Sequence, residues 1–248
     1  MGNRIYRETV SINTDQVRDF FNNRAKMVAD KGVSVVMLQE HDQDSAIKEC
    51  DFEEEIVKQR LQITPKTRVL ELGCGIGRLA ESILPMCGFY CGIDFSEEMI
   101  TTAKSICSKY GSHAQFHTMS CTEATEKNSD FFGGKFDCLV VSGIFMYIND
   151  EELTQIFNRL PNLLSKCSTI YFLDPVGVGE RLTLCEFYSK ELQTTYNAIY
   201  RTPEEYNQAY QPLFQAGFSI IEQGPVPQAK KQYSDSDRWY TIFKREDK

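Results

Sequence analysis

The sequence has no run of lysine or arginine long enough to form a basic stripe, and no two cysteines spaced CxxC. Nor does any stretch approach the roughly 18 consecutive apolar residues of a membrane span. The first absence argues against nucleic acid as the main partner, and the formal net charge of −8 points the same way. The second leaves nine cysteines, an odd number, to be read as reduced thiols of a cytoplasmic protein. Cys74, Cys138 and Cys167 lie in or beside apolar runs, where cysteine behaves as a small hydrophobe. The third absence implies no membrane association. The opening MGNRIYRETVSINTDQ is too polar for a signal peptide, and Tyr6 stands where an N-myristoylation motif wants Ser or Thr. Histidine is scarce, at three. His113 and His117 flank a weak strand and read as surface or packing residues, which leaves His41.

What is present is ordinary for a globular chain: 248 residues, 42% hydrophobic and 25% charged, enough for one large domain. Apolar runs and amphipathic stretches alternate. Helices are expected over 14–30 and 50–62, then a strand RVLEL (68–72), a glycine turn and a helix over 77–86. FYCGID (89–94), AQFHTM (114–119), FDCLVVSG (136–143) and STIYFLD (168–174) read as further strands. Ser96 is placed as an N-cap, with Glu97 and Glu98 favoured by the helix dipole. Asn149 with Glu152, and Thr202 with Pro203 and Glu205, resemble capping boxes, the latter opening a helix that Gly217 closes. FSIIEQG (218–224) and RWYTIFKR (238–245) end the chain without a helix between them. This pattern predicts a seven-stranded, mostly parallel, doubly wound α/β sheet with an antiparallel C-terminal hairpin strand. Within a single domain, residues 1–50 are expected as a helical lid and 51–174 as the cofactor-binding core. Residues 175–217 form an acceptor-binding insertion and 218–248 the terminal hairpin.

In such sheets ligands bind beyond the carboxyl ends of the strands, and the glycine turn follows the first of them. Gly75-x-Gly77-x-x-Ala80 satisfies a dinucleotide fingerprint, with Asp94 near the spacing of a ribose-binding acid. Glu71 sits just ahead of the turn, where its charge would face a pyrophosphate. A carboxylate there suits a ligand with a cationic end. S-adenosylmethionine carries an ammonium and a sulfonium at one end and a ribose at the other, so Glu71 and Asp94 match it better than they match NAD.

ELGCGIG, followed at the next strand by GID, resembles the cofactor motifs of class I S-adenosylmethionine-dependent methyltransferases, and the likeness extends over roughly residues 50–175. The resemblance implies that Glu71, Gly73, Cys74, Gly75 and Gly77 contact the methionine part. Asp94 would bind the ribose and Phe95 pack on the adenine, with Met99 in the same pocket. Where the family commonly has an Asp for the adenine amino group, this chain has Met119, Ser120 and Cys121, so Ser120 and the Cys121 backbone are the candidates there. Ser142 and Gly143 would border the cofactor, and Arg24, with Phe20 or Phe21, would meet it from the lid.

Methyl transfer needs a base only when the acceptor must lose a proton, and Tyr147, Asp174 and His41 are the candidates. The segment 174–210 is rich in tyrosine (Tyr188, Tyr196, Tyr200, Tyr206 and Tyr210) and suggests a wall for a polar or aromatic small molecule. Tyr147, Tyr196, Tyr200 and Arg201 are the expected acceptor contacts. No Asn/Asp-Pro-Pro-Tyr/Phe or Pro-Cys signature of base methylation occurs, and Asp150 with Asp174 is too little for a metal site. The expectation is methyl transfer to a hydroxyl or amine of a small molecule by a monomer or homodimer. Methylation of a protein or peptide, a nicotinamide-dependent oxidoreductase and a non-catalytic cofactor-binding protein stand as alternatives.

Overall fold

The computed structural model describes residues 3–28, 32, 34–38, 43–226 and 234–246. The chain opens with β1 (Asn3–Tyr6), α1 (Thr14–Ala25), α2 (Ser34–Met37) and α3 (Gln43–Arg60). There follow β2 (Arg68–Leu72), α4 (Arg78–Ile83), β3 (Phe89–Asp94), α5 (Glu97–Ile106) and β4 (Ala114–Thr118). Next come α6 (Ser129–Phe132), β5 (Phe136–Ser142), α7 (Asp150–Leu163) and the long β6 (Leu164–Gly177). The chain then forms β7 (Leu182–Ser189), β8 (Thr194–Tyr200), α8 (Pro203–Ala209), α9 (Gln211–Gln215), β9 (Ser219–Pro225) and β10 (Ser236–Arg245).

Seven strands form one sheet in the order β4-β3-β2-β5-β6-β10-β9. The first five are parallel, and β10 lies antiparallel between β6 and β9. Helices cover both faces, so the central strands read as nearly continuous apolar runs. Alternate residues still divide between two cores. Leu70, Leu139 and Phe172 face α7, α8 and α9 through Phe157, Tyr210 and Leu213. Val69, Val140 and Tyr171 face α3, α4 and α5 through Val57, Leu79 and Ala103.

The rest is less regular than the sequence pattern implies. A second, three-stranded antiparallel sheet, β1-β7-β8, joins the N-terminus to the segment expected as an insertion. It packs with α1 and the 145–147 turn through Val17, Tyr147, Leu184 and Tyr196. The N-terminal segment is thus part strand, not purely helical. Helix α1 stops at Ala25, and the helix expected from 202 to 217 is broken at Tyr210, ahead of Pro212. Thr202 and Glu205 form the expected capping box. Asn149 does not cap α7 with its side chain. It spends both amide atoms on the N-terminal segment, accepting from Ile12 N at 2.9 Å and donating to Ile12 O at 3.1 Å.

Arg201 is 2% exposed and ties these layers together. Its guanidinium donates to Asp150 Oδ1 at 2.7 Å and to the carbonyls of Phe145 (2.9 Å) and Ile148 (2.7 Å), pinning the turn after β5. Arg181 holds the other oxygen of Asp150 at 2.7 Å. Arg201→Met should therefore leave Asp150 and two buried carbonyls short of donors and cost about 2–4 kcal/mol. The midpoint of urea unfolding measures it.

Candidate active site

The site begins at the turn that follows β2. Gly73 has φ +73°, and a side chain there would place its Cβ 2.1 Å from Ile144 Cδ1, so only glycine fits. The N–H groups of Gly73 and Cys74 both donate to Ile93 O, at 2.8 and 3.0 Å, folding the turn back over β3. Gly75 N–H donates to Asp94 Oδ2 at 3.1 Å, and Ser96 N–H to Asp94 Oδ1 at 2.9 Å. One carboxylate thus locks the ends of two parallel strands together. Ser96 in turn caps α5, its hydroxyl accepting from Met99 N.

A cavity of about 1130 Å³ runs across the carboxyl ends of the strands. It passes Ser120 and Cys121 after β4, Asp94 and Phe95 at β3, Glu71, Gly73, Cys74 and Gly75 at β2, and Ser142 and Gly143 at β5. Beyond them it continues past Met146 and Tyr147 to Pro175 on β6 and Arg238 on β10. Its roof is Phe21 and Arg18 of α1, Val36, and residues of β7 and β8. Phe21 meets Phe95 and Tyr147 edge-on, with ring centroids 6.2 and 5.0 Å apart. Met99, 1% exposed, completes the wall at that end.

Several buried carboxyls border this space. Burial pushes Glu71 up to about 8, against the opposing hydrogen bond from Tyr90, whose hydroxyl donates to Glu71 Oε2 at 2.5 Å. Burial likewise raises Asp94 to about 6, although two backbone N–H groups favour its charged form. Glu53 behaves oppositely: burial would raise it, but the Arg78 and Arg238 guanidiniums hold it below the ordinary value. Glu53 accepts from Ser142 Oγ and from Arg78, each at 2.5 Å, and Arg238 is paired to Glu49.

Of the residues expected at the cofactor, Glu71, Gly73, Cys74, Gly75, Asp94, Phe95, Met99, Ser120, Cys121 and Ser142 line the cavity. Gly77 does not line it. It starts α4 at φ +83°, and its Cα faces Ala103 of α5, where a Cβ would come within 3.3 Å. Arg24 is buried beside α2, donating to Val35 O at 2.7 Å with Phe20 under its guanidinium. Tyr147, Tyr196 and Tyr200, the expected acceptor contacts, line the far end, whereas Tyr206 and Tyr210 are in the main core. Arg201 is the structural residue described above.

Asp174 is 4% exposed and off the cavity wall. It accepts from Met146 N at 3.3 Å, and burial raises it to about 7. Burial also pushes the Tyr147 phenol up, so Tyr147 is a neutral hydroxyl at pH 7 and not a ready base. His41 lies outside the described residues. Arg78, Arg238, Glu49 and Phe187 line the cavity without having been expected there. A charged residue that reaches a site through a long side chain leaves no spacing signal. No group of three or more His, Cys, Asp or Glu placed to hold a metal occurs among the described residues.

Residues 69–166 match the family model described as a methyltransferase domain. That segment resembles a methyltransferase domain. Among curated relatives, the chain is 25% identical over 171 residues, 67% of its length, to phosphoethanolamine N-methyltransferase 1 of Zea mays, covering 31% of that protein. With phosphoethanolamine N-methyltransferase of Triticum aestivum it shares 24% over 211 residues, 81% of this chain and 38% of the relative. The chain therefore spans about a third of the length of these relatives. Magnesium protoporphyrin IX methyltransferase of Synechocystis superposes with a TM-score of 0.65 at 18% identity, over 96% of this chain and 100% of its own. Phosphoethanolamine N-methyltransferase 1 of Haemonchus contortus superposes at 0.70 and 16%, over 94% and 50%. At such identities the likeness is one of fold. No described helix is long and apolar enough to cross a membrane.

The raised carboxyls predict a pH dependence. Asp94, Asp174 and Glu71 keep their protons in the folded state to about pH 6, 7 and 8, and release them near pH 4 when unfolded. The folded state binds more protons across that interval, so the contribution of these groups falls as pH rises from about 4 to 8 and is level above it. Thermal unfolding without ligand should show this decline, and Glu71→Gln should flatten its upper part, between about pH 6 and 8.

Proposed function

We propose that the chain is an S-adenosylmethionine-dependent methyltransferase acting on an oxygen or nitrogen of a small-molecule acceptor. The observation that carries this reading is the placement of Glu71 and Asp94, two carboxyls buried against the glycine turn, at one end of a cavity that extends well beyond them. Its volume of about 1130 Å³ exceeds the range of roughly 300–1,000 Å³ usual for a single ligand, leaving room for a second.

The residues present fit the cofactor. Glycine at 73 and 75 keeps side chains out of the cradle, and Asp94, held by two N–H donors, would take the ribose diol. Glu71 is protonated in an empty site and would ionise against an ammonium, so binding is expected to release a proton. Bound there, S-adenosylmethionine supplies an electrophilic methyl on a sulfonium. The protein's part is alignment and exclusion of water, and well-oriented juxtaposition supplies about 7–11 kcal/mol in such reactions. Phe21, Phe95 and Met99 close the cofactor end, and the β7–β8 hairpin closes the other. Tyr147 and Tyr196, whose hydroxyls are 2.8 Å apart, offer a neutral hydrogen-bonding pair to the acceptor heteroatom. The roof formed by α1, β7 and β8 supports a small acceptor in preference to a peptide.

Asp94→Ala should lower affinity for S-adenosylhomocysteine by more than about tenfold in calorimetric titration, because a buried charge-assisted contact is lost. NAD and NADP, titrated in parallel, should not bind, and binding of a nicotinamide cofactor alone would overturn the proposal. Tyr196→Phe should leave S-adenosylhomocysteine affinity unchanged and reduce turnover. A loss of cofactor affinity in that variant would put β8 over the adenosine instead.

A further inference from the structure

The hairpin over the far end of the cavity contains an irregularity that places one residue there. Along β7, Leu184 pairs with Ala198 and Phe187 with Tyr196, so β7 advances three residues while β8 advances two. This is a β-bulge, with Glu186 at φ +50°. Strict alternation would put Leu184 and Phe187 on opposite faces of the sheet. With the extra residue, both line the cavity.

The bulge is fastened from outside. Glu186 N–H donates to Asn197 Oδ1 at 2.8 Å, Asn197 Nδ2 to Gln16 Oε1 at 3.0 Å, and Gln16 Nε2 back to Glu186 Oε1 at 3.1 Å. This closed ring of side-chain bonds joins β7, β8 and α1. A non-glycine residue in the left-handed region is costly and persists only where its surroundings impose it. Here the outcome is an aromatic ring turned inward, with the Arg4 guanidinium 5.6 Å from its centroid.

Three cations at this end stand beside carboxylates, although Arg78 Nη1 and Arg238 Nε are buried without a hydrogen-bond partner. Arg4 is paired with Asp235, Arg238 with Glu49, and Arg78 with Glu53. A phosphate or carboxylate on the acceptor would meet the repulsion of a carboxylate beside each of these cations. Lys190 sits on the exposed tip of the hairpin, where water competes for it. The surfaces left for an acceptor are rings, aliphatic side chains and the Tyr147–Tyr196 hydroxyl pair, with the carboxylates of Glu152, Glu191 and Asp237 also on the wall.

Resting on the methyltransferase reading above, we propose that the acceptor is a neutral, planar aromatic molecule bearing a hydroxyl or amine, and that Phe187 is the residue that selects it. The acceptor packs against Phe187 and presents its heteroatom to the tyrosine hydroxyls. This departs from the phosphorylated amine named for the curated relatives. The bulge puts the Phe187 ring on the cavity face, where regular alternation from Leu184 would put Glu186 and Tyr188.

The test titrates the full chain, saturated with S-adenosylhomocysteine, with 2-naphthol, 5-hydroxyindole and phosphoethanolamine, following binding by calorimetry. At least one aromatic probe is expected to bind and phosphoethanolamine is not. Phe187→Ala should weaken the aromatic probe by about tenfold or more, Phe187→Tyr should restore it, and S-adenosylhomocysteine affinity should stay the same in both. Binding of phosphoethanolamine in preference, failure of both aromatic probes, or indifference to Phe187→Ala would overturn the proposal. Failure of S-adenosylhomocysteine itself to bind is a separate outcome, which removes the methyltransferase reading on which the proposal rests.

Discussion

Asp94 stands at the end of β3 and receives two backbone N–H groups, one from the glycine turn after β2 and one from the first residues leading into α5. Everything at the cofactor end depends on that contact. The turn needs three left-handed glycines in five residues, a conformation with large backbone entropy to lose. A buried carboxylate that accepts from the turn's own N–H holds it open toward the cavity. The same residue therefore shapes the cradle and offers its charge to whatever fills it. Its raised proton affinity follows from burial, at 8% exposure, which outweighs the two N–H bonds that favour its charged form.

The cavity has two origins. Its cofactor end is built by the parallel sheet, where strand ends, glycine turn and helix caps follow from local pattern. Its other end is built by an added antiparallel sheet that borrows one strand from the N-terminus and two from the segment after β6. Arg201, Arg181 and Asp150 weld the two parts at the turn after β5, and Asn149 binds the N-terminal segment to the same turn. The two parts also meet through apolar side chains, Val17, Tyr147, Leu184 and Tyr196, so the far end is packed against the turn after β5 as well as pinned to it.

The division also explains which features are legible in the sequence. RVLEL, FYCGID and FDCLVVS are strands because their apolar runs are too short for helices and are bounded by turns, and the structure places them as expected. Glu71 and Asp94 are readable because a carboxylate beside a glycine turn is chemically odd. β1 is not readable: four residues, NRIY, become a strand only by pairing with β7 far along the chain. Tyr196, Tyr206 and Tyr210 look alike in sequence, yet the first faces the cavity and the others fill the main core. Arg201 carries no mark of burial, since a basic residue before a helix is common on surfaces. Phe187 is hidden most thoroughly, because alternation alone assigns it to the wrong face and only the bulge corrects it.

The ring of Gln16, Glu186 and Asn197 has a bearing on how the molecule assembles. Gln16 and Asn197 are 181 positions apart in the chain, and the pairing of β1 with β7 spans a similar interval. Contacts of such long range carry a loop-closure cost that is recovered only once the intervening chain is ordered. The parallel sheet, whose neighbours are mostly joined by one helix, can form before them. The N-terminal residues, made first, are then among the last to reach their places, and the chamber acquires its roof only after its floor is complete.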